Sequence, residues 1–140
     1  MKRFVLDASV ALAWFLDHPV PSFAHHVRKV LSNGGHRAVV PGLWQLEMAN
    51  GFVMAERRGL VASMDTDRFL HELDLLVKQT VEVASSFVHL SRAVNSARQH
   101  RLTAYDAVYL DLARELLLPI ATLDRQLRAA ASQAGVQLFQ

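Results

Sequence analysis

The sequence predicts an α/β fold, an α/β/α sandwich in which helices surround a mainly parallel central sheet of short strands. Short apolar or β-branched runs alternate with longer segments of helical spacing, which is typical of parallel strands joined by right-handed helical crossovers. Hydrophobic residues make up 51% of the 140-residue chain and are spread along its length. A chain of this size can bury its own core, and it contains no repeat or low-complexity segment. We therefore expect one domain over residues 1–140.

The beginning of the chain predicts one buried strand followed by two helices. Residues 4–6 are an apolar run that ends abruptly in a carboxylate, and residues 10–16 are almost all apolar helix formers. Two prolines predict a loop over residues 18–22, because proline interrupts helical hydrogen bonding. Residues 23–32 show helical spacing, and the Asn-Gly-Gly sequence after them is a helix-terminating signal.

The next segment predicts a strand over residues 37–40, closed by Pro-Gly, and a helix over residues 43–58. Gly59 stands where the residue after a helix C-cap belongs. Glu47 and Asn50 are three residues apart on this helix and therefore share a face. The apolar positions expected to face the core are Leu43, Leu46, Phe52 and Val53.

An amphipathic helix is predicted over residues 65–77, followed by a β-branched strand over residues 80–84. Ser85 or Ser86 is expected to cap a further helix that runs to about His100. The inward positions of the helix over residues 65–77 are expected to be Phe69, Leu70, Leu73, Leu76 and Val77.

The last third of the chain repeats the alternation of helix and strand. A strongly helical segment ends at Leu117 before a proline, and residues 120–122 predict a short strand. A helix to about Ala134 follows and is closed by a glycine, and residues 136–139 predict a final strand.

The composition excludes several kinds of site and location. Without cysteine the chain has no disulfide and no thiolate metal site. No apolar run approaches the roughly 18 residues that cross a bilayer, and the N-terminus lacks a signal-peptide pattern, so we expect a cytoplasmic protein without membrane attachment. The seven histidines lack the spacing of a zinc site. The net charge of +2 is only a mild indication of a polyanionic partner.

Four acidic residues stand apart from the others by their position. Asp7 and Asp124 directly follow short apolar strands, whereas Glu47 and Asp106 lie in the first turns of helices. The carboxyl ends of parallel strands and the starts of the following helices meet at one edge of the sheet, so these four side chains can converge. Each also has an ordinary alternative, because Asp7 and Asp124 are favoured helix caps. Thr103 and Asp106 resemble a capping box, and Glu47 suits an exposed helix position.

Convergence of these acids would have a chemical consequence. Like charges about 4 Å apart repel by roughly 1 to 4 kcal/mol per pair, so such a cluster needs a cation or bound protons. Carboxylates without histidine or cysteine ligands favour Mg²⁺ or Mn²⁺, and such a site suits phosphodiester hydrolysis, in which the metal activates water and screens charge on the phosphate. The neutral partners that could orient the carboxylates are Ser9, Asn50 and Thr122.

Four segments of the chain resemble, in order and spacing, the PIN domain of VapC-type toxins from VapBC toxin–antitoxin pairs. These segments are VLDASV at 5–10, EMAN at 47–50, LTAYDAVYL at 102–110 and ATLDRQL at 121–127. The resemblance implies a single PIN domain over residues 1–140 and a PIN-like parallel sheet wrapped by helices. It also implies an Mg²⁺- or Mn²⁺-dependent endoribonuclease that leaves a 3′-hydroxyl and a 5′-phosphate.

The resemblance also assigns residues and partners. The family's acidic quartet falls on Asp7, Glu47, Asp106 and Asp124, and its polar helpers fall on Ser9, Asn50 and Thr122. The three aspartates would hold the metal directly or through water, and Glu47 would help to hold it or position the attacking water. Many relatives carry a further acid after the first helix, but His18 follows Asp17 here, and we do not expect a fifth ligand. Members of this branch usually form homodimers and are silenced by a VapB-like antitoxin.

An RNA substrate would need cationic side chains to contact its phosphates. The residues expected to do so are Arg57, Arg58, Arg101 and Arg125, drawn from a wider set that includes Arg92, Arg98 and Arg128. Haloacid-dehalogenase-like and response-regulator folds fit poorly, because they need aspartates at positions where this chain has none. Two alternatives remain open, a PIN-fold nuclease of RNA processing that is not a toxin and a catalytically silent PIN-like interaction module.

Overall fold

The computed structural model describes residues 1–85 and 88–140, and within these ranges it contains four strands and seven helices. In chain order they are β1 (Lys2–Leu6), α1 (Ala8–Leu16), α2 (Ser22–Ser32), β2 (His36–Val40), α3 (Leu43–Arg57), α4 (Ser63–Thr80), β3 (Val81–Val83), α5 (Leu90–His100), α6 (Ala104–Leu116), β4 (Ile120–Ala121) and α7 (Arg125–Gln133).

The four strands form one sheet in the order β3-β2-β1-β4, and every neighbouring pair is parallel. At the centre, Val5 of β1 is in register with Val39 of β2 and with Ile120 of β4. Among the helices, α1 packs on α2 and α3, α4 packs on α2, and α6 packs on α5 and α7. The predicted parallel α/β sandwich of short strands is confirmed.

The second half of the interior strand β1 is fully buried. Phe4, Val5 and Leu6 are inaccessible to solvent, as expected for a strand covered on both faces. From α1, the Trp14 indole Nε1 donates to the Ala24 carbonyl oxygen of α2 at 2.7 Å. The apolar run that predicted a buried strand therefore lies at the middle of the sheet.

Three predicted core positions are wrong, since Leu46, Val53 and Leu70 are 75%, 43% and 40% exposed. The physical reason is visible on α3, where the buried stripe recurs every three or four residues from Trp44 onward, as helix geometry requires. Leu46 lies two residues after Trp44 and therefore points away from that stripe. The buried residues of α3 are Trp44, Met48, Phe52 and Ala55.

Several predicted boundaries also shift. Helix α4 begins before Asp65 because the Asp65 carboxylate Oδ2 accepts from the Ala62 backbone N–H at 3.2 Å. Helix α5 begins at Leu90 with His89 as its N-cap, so Ser85 does not cap it, and Ser86 lies outside the described residues. The final strand is reduced to a single parallel bridge between Ile120 and Leu138, because β4 is itself only two residues long.

The topology places the ends of β1 and β4 side by side. Leu6 and Ala121 are in register, and the Asp7 backbone N–H donates to the Ala121 carbonyl oxygen at 2.9 Å. The residues that follow these strands, Asp7 and Thr122, therefore meet at one edge of the sheet. None of the helices in the described ranges has the length and apolar character needed to cross a membrane.

Candidate active site

Asp7 lies at the N-cap position of α1, but its side chain makes no capping hydrogen bond. Its carboxylate Oδ2 instead accepts from the Ser9 hydroxyl at 2.6 Å and from the Thr122 hydroxyl at 2.7 Å. Asp7 is only 5% exposed. The alternative that Asp7 merely caps the following helix is therefore wrong.

The direction of these two hydrogen bonds follows from the partners of each hydroxyl. Ser9 Oγ accepts from the Leu123 backbone N–H at 3.0 Å, and Thr122 Oγ1 accepts from the Asp124 backbone N–H at 3.0 Å. A hydroxyl has one proton, and a backbone N–H can only donate, so both hydroxyl protons go to Asp7. Burial raises the pKa of Asp7, the two hydroxyl donors oppose that shift, and the charge of Asp124 adds to it.

Asp106 is fixed in the first turn of α6 by a helix cap. Its backbone N–H donates to the Thr103 hydroxyl oxygen at 3.2 Å, so Thr103 is the N-cap that the sequence predicted. Burial, together with the charges of Asp124 and Asp7, raises the pKa of Asp106 to about 6. Its carboxylate therefore sits where negative charge is already concentrated.

Glu47 is half-buried on α3 and is held from α6. The Tyr109 phenol hydroxyl donates to Glu47 Oε1 at 2.6 Å. Burial raises the pKa of Glu47, the Tyr109 hydrogen bond lowers it, and the charges of Asp7 and Asp106 raise it further. The alternative that Glu47 is simply an exposed helical residue does not fit this environment.

Asp124 caps helix α7, which is the alternative role that the sequence indicated for it. Its Oδ1 accepts from the Leu127 backbone N–H at 2.9 Å at the start of α7. Its charge nevertheless raises the pKa of both Asp7 and Asp106. Because a carboxylate has two oxygens and about four acceptor sites, the cap leaves Asp124 able to bind a second partner.

The four predicted acids thus lie within electrostatic range of one another. Asp7 interacts with Asp124, Glu47 with Asp7 and Asp106, and Asp106 with Asp124. In the part of the chain that the structure describes, no group of three or more His, Asp or Glu side chains is already arranged to hold a cation. Each of the four carboxylates therefore interacts electrostatically with at least two of the others.

The three predicted polar helpers differ in what they contact. Ser9 and Thr122 bind Asp7 directly. Asn50 is exposed on α3, one turn beyond Glu47. Two of the three helpers therefore bind a site carboxylate, and Asn50 is exposed on the helix that carries Glu47.

The predicted phosphate-binding arginines fall into two groups, and all four are exposed. Arg125 directly follows Asp124, and Arg101 lies two residues before Thr103 and lines a cavity of about 370 Å³ with residues of α7. Arg57 and Arg58 lie at the far end of α3, about 15 Å along the helix axis from Glu47. Their positions beside Asp124 and Thr103 therefore favour Arg125 and Arg101 as the residues that would contact a phosphate near the acids.

Arg128, one of the wider set of arginines, has a structural role. Its Nη1 donates to the Thr122 carbonyl oxygen at 3.0 Å, and its guanidinium lies over the Phe23 ring at 5.6 Å. It therefore fixes the backbone at Thr122. Tyr109 is a candidate site residue that was not predicted from the sequence, although a tyrosine one turn after Asp106 was a usable signal.

Comparison with known proteins agrees with this architecture. The family model for the PIN domain matches residues 4–133. Ribonuclease VapC3 from Pyrobaculum aerophilum is 37% identical over 81 residues, which are 58% of this chain and 61% of that relative's length. The crystal structure of PAE2754 from Pyrobaculum aerophilum shares the fold with a TM-score of 0.68 at 24% identity, covering 92% of this chain and 84% of that one. From its matching sequence and its parallel sheet, the chain belongs to the PIN domain family.

Proposed function

We propose that the protein is a metal-dependent endoribonuclease that acts as the toxin of a type II toxin–antitoxin pair. The observation that carries this proposal is the group of four acids, with Asp7 buried and held by two hydroxyls at the carboxyl edge of a parallel sheet. Similarity to a protein named a VapC ribonuclease supports the activity and the toxin class.

The four acids fit a divalent cation by their chemistry. Carboxylates are hard oxygen ligands, and burial together with mutual repulsion disfavours their charged forms, as the raised pKa values of Asp7, Glu47 and Asp106 indicate. A cation would remove that penalty. Asp7, Asp106 and Asp124 would hold Mg²⁺ or Mn²⁺, with help from Glu47. The ion would supply Lewis-acid activation of water and would screen charge on the phosphate.

The chain's own residues would orient the ligands and the substrate. Ser9 and Thr122 hold one oxygen of Asp7 and leave the other for the cation. Asn50 would contact the RNA substrate from the exposed surface of α3, one turn after Glu47. Arg101 and Arg125 would bind RNA phosphates beside the acids, while Arg57 and Arg58 would contact RNA farther away. Cleavage would leave a 3′-hydroxyl and a 5′-phosphate.

We extend the proposal to partners and location. A VapB-like antitoxin would silence the enzyme, the protein would form a homodimer, and it would work in the cytoplasm as a single domain over residues 1–140. Expression of the wild-type chain in bacteria is expected to arrest growth, whereas Asp7→Asn is not. An RNA-processing PIN nuclease would cleave RNA without arresting growth.

The decisive experiment incubates the purified protein, free of antitoxin, with total RNA and Mg²⁺ or Mn²⁺. We expect discrete fragments that disappear with EDTA and with Asp7→Asn. Asp67→Asn, an exposed acid on α4, serves as the matched control and should cleave normally. Cleavage by correctly folded Asp7→Asn would contradict the site, and no cleavage by the wild type would favour a silent interaction module.

A further inference from the structure

Tyr109 combines a core ring with a hydroxyl that reaches the site. The residue is inaccessible to solvent on α6, yet its hydroxyl donates to Glu47 Oε1 at 2.6 Å. Phenylalanine would fill the same ring space, so packing does not require the hydroxyl. A buried hydroxyl without a partner costs free energy, and here its partner is a carboxylate, which makes the hydrogen bond a strong one.

The Tyr109 hydroxyl donates its proton to the Glu47 carboxylate. An ionised carboxylate has no proton to donate and can only accept. The phenol has one proton, so that proton goes to Glu47. Burial and the neighbouring Glu47 carboxylate raise the pKa of Tyr109 well above its usual value, so the phenol stays a neutral donor.

This hydrogen bond connects two elements that each carry a site acid. Glu47 belongs to α3, and Tyr109 lies one turn after Asp106 on α6. The hydrogen bond engages Oε1 of Glu47 and leaves Oε2 for another partner. A glutamate has three rotatable side-chain bonds, so without this contact its carboxylate would sample several orientations.

We propose that Tyr109 is a positioning residue whose hydroxyl fixes the Glu47 carboxylate as a cation ligand beside Asp7 and Asp106. This inference rests on the proposed metal-dependent function. It predicts that Tyr109→Phe weakens Mn²⁺ binding about tenfold, the lower end of the effect expected for a partner that orients a ligand. Mn²⁺ affinity is measured by calorimetry, and cleavage rates are measured as a function of Mn²⁺ concentration.

The chain offers a matched control, because it has only one other tyrosine, Tyr105, which is 64% exposed on the same helix. Tyr105→Phe should leave Mn²⁺ affinity unchanged. In a Glu47→Ala background, Tyr109→Phe should produce no further loss of affinity, because its effect passes through Glu47. A residue needed only for folding would lower the thermal midpoint and leave Mn²⁺ affinity unaltered.

A second measurement does not depend on Tyr109→Phe folding. In Tyr105→Phe protein labelled with 3-fluorotyrosine, the one fluorine signal reports on residue 109. We expect it to shift when Mg²⁺ binds, and we expect that shift to vanish with Glu47→Ala.

The outcomes separate this inference from the proposed function. Equal Mn²⁺ affinities of wild type and folded Tyr109→Phe, or an additive loss in the Glu47→Ala background, would overturn the role of Tyr109. A fluorine signal that does not shift when Mg²⁺ is added would also overturn the role of Tyr109. If Tyr109→Phe weakens Mn²⁺ binding but the wild type cleaves no RNA, the positioning role stands and the nuclease proposal fails. A wild-type protein that binds no Mn²⁺ would overturn both.

Discussion

At the scale of single residues, the geometry of the site depends on which atom accepts the hydroxyl protons of Ser9 and Thr122. Ser9 and Thr122 accept backbone N–H groups from the segment after β4 and donate to Asp7. The same two side chains therefore order a loop and hold a buried carboxylate. Removing either hydroxyl leaves both the Asp7 oxygen and a backbone N–H without that partner.

Thr122→Val should lower the free energy of unfolding by about 2 kcal/mol, the range for a hydrogen bond to a charged group. It should also weaken Mn²⁺ binding, because Asp7 loses one of its two orienting donors. Urea unfolding and calorimetry measure the two effects. Thr66→Val is the matched control, since the buried Thr66 hydroxyl has no hydrogen-bond partner within the described ranges. A Thr122→Val protein as stable as Thr66→Val would contradict this role.

The sequence predicted the position of the acids better than their contacts. Asp7 and Asp124 stand out because a carboxylate ends an apolar run, which locates Asp7 directly after β1 and Asp124 three residues after β4. Capping and site roles look alike in sequence, and only the side-chain geometry excludes capping for Asp7 and shows it for Asp124. Tyr109 was missed because a tyrosine among apolar helical residues is typical of a core.

At the scale of elements, the position of Glu47 depends on how closely α3 approaches α1. A Cβ atom added at Gly51 would lie 2.5 Å from the Leu12 Cδ2 atom and 3.2 Å from its Cγ. Gly51 is four residues after Glu47 and shares its face of α3. The glycine therefore allows the face that carries Glu47 to pack directly against the helix that follows Asp7.

Gly51→Ala should lower the free energy of unfolding by about 1 kcal/mol, because overpacking costs about 1 to 3 kcal/mol and the gain in helix propensity offsets about 1. Leu12→Ala provides room for the new methyl group. The double variant should therefore lose less stability than the sum of the two single variants in urea unfolding. Strictly additive losses of unfolding free energy would show that the side chains at positions 12 and 51 do not contact each other.

The elements themselves were largely predictable, and their ends were not. Periodicity located α4, but Asp65 capping Ala62 starts the helix earlier than its apolar pattern indicated. The segment over residues 136–139 has strand propensity, yet β4 is too short to pair with all of it. Strand length is set by the neighbouring strand, and a local pattern does not contain that information.

At the scale of the whole molecule, burial and the neighbouring negative charges make the ionised acids a cost to the stability of the fold. The folded protein holds the Asp106 proton more tightly than the unfolded chain, because the pKa rises from 3.8 to about 6. Above about pH 6 the ionised group destabilises the fold. As the pH falls from 6 towards 4, the folded state takes up a proton and the penalty disappears.

In metal-free buffer at pH 7.5, Asp106→Asn should therefore raise the thermal midpoint. The difference from wild type should shrink as the pH is lowered through 6 to 4. Added Mn²⁺ should reverse the order, because it stabilises the protein that binds it more tightly. Thermal unfolding across pH, with and without EDTA, measures this. An Asp106→Asn midpoint below wild type in EDTA at pH 7.5 would contradict the repulsion.

The contact between Asp7 and Thr122 also has a consequence for synthesis. The two residues are 115 positions apart, so Asp7 is synthesised long before the Thr122 hydroxyl that donates to its carboxylate. A nascent chain on the ribosome holds Asp7 without this partner until residue 122 has been synthesised. The acidic site therefore assembles only after residue 124 has been synthesised.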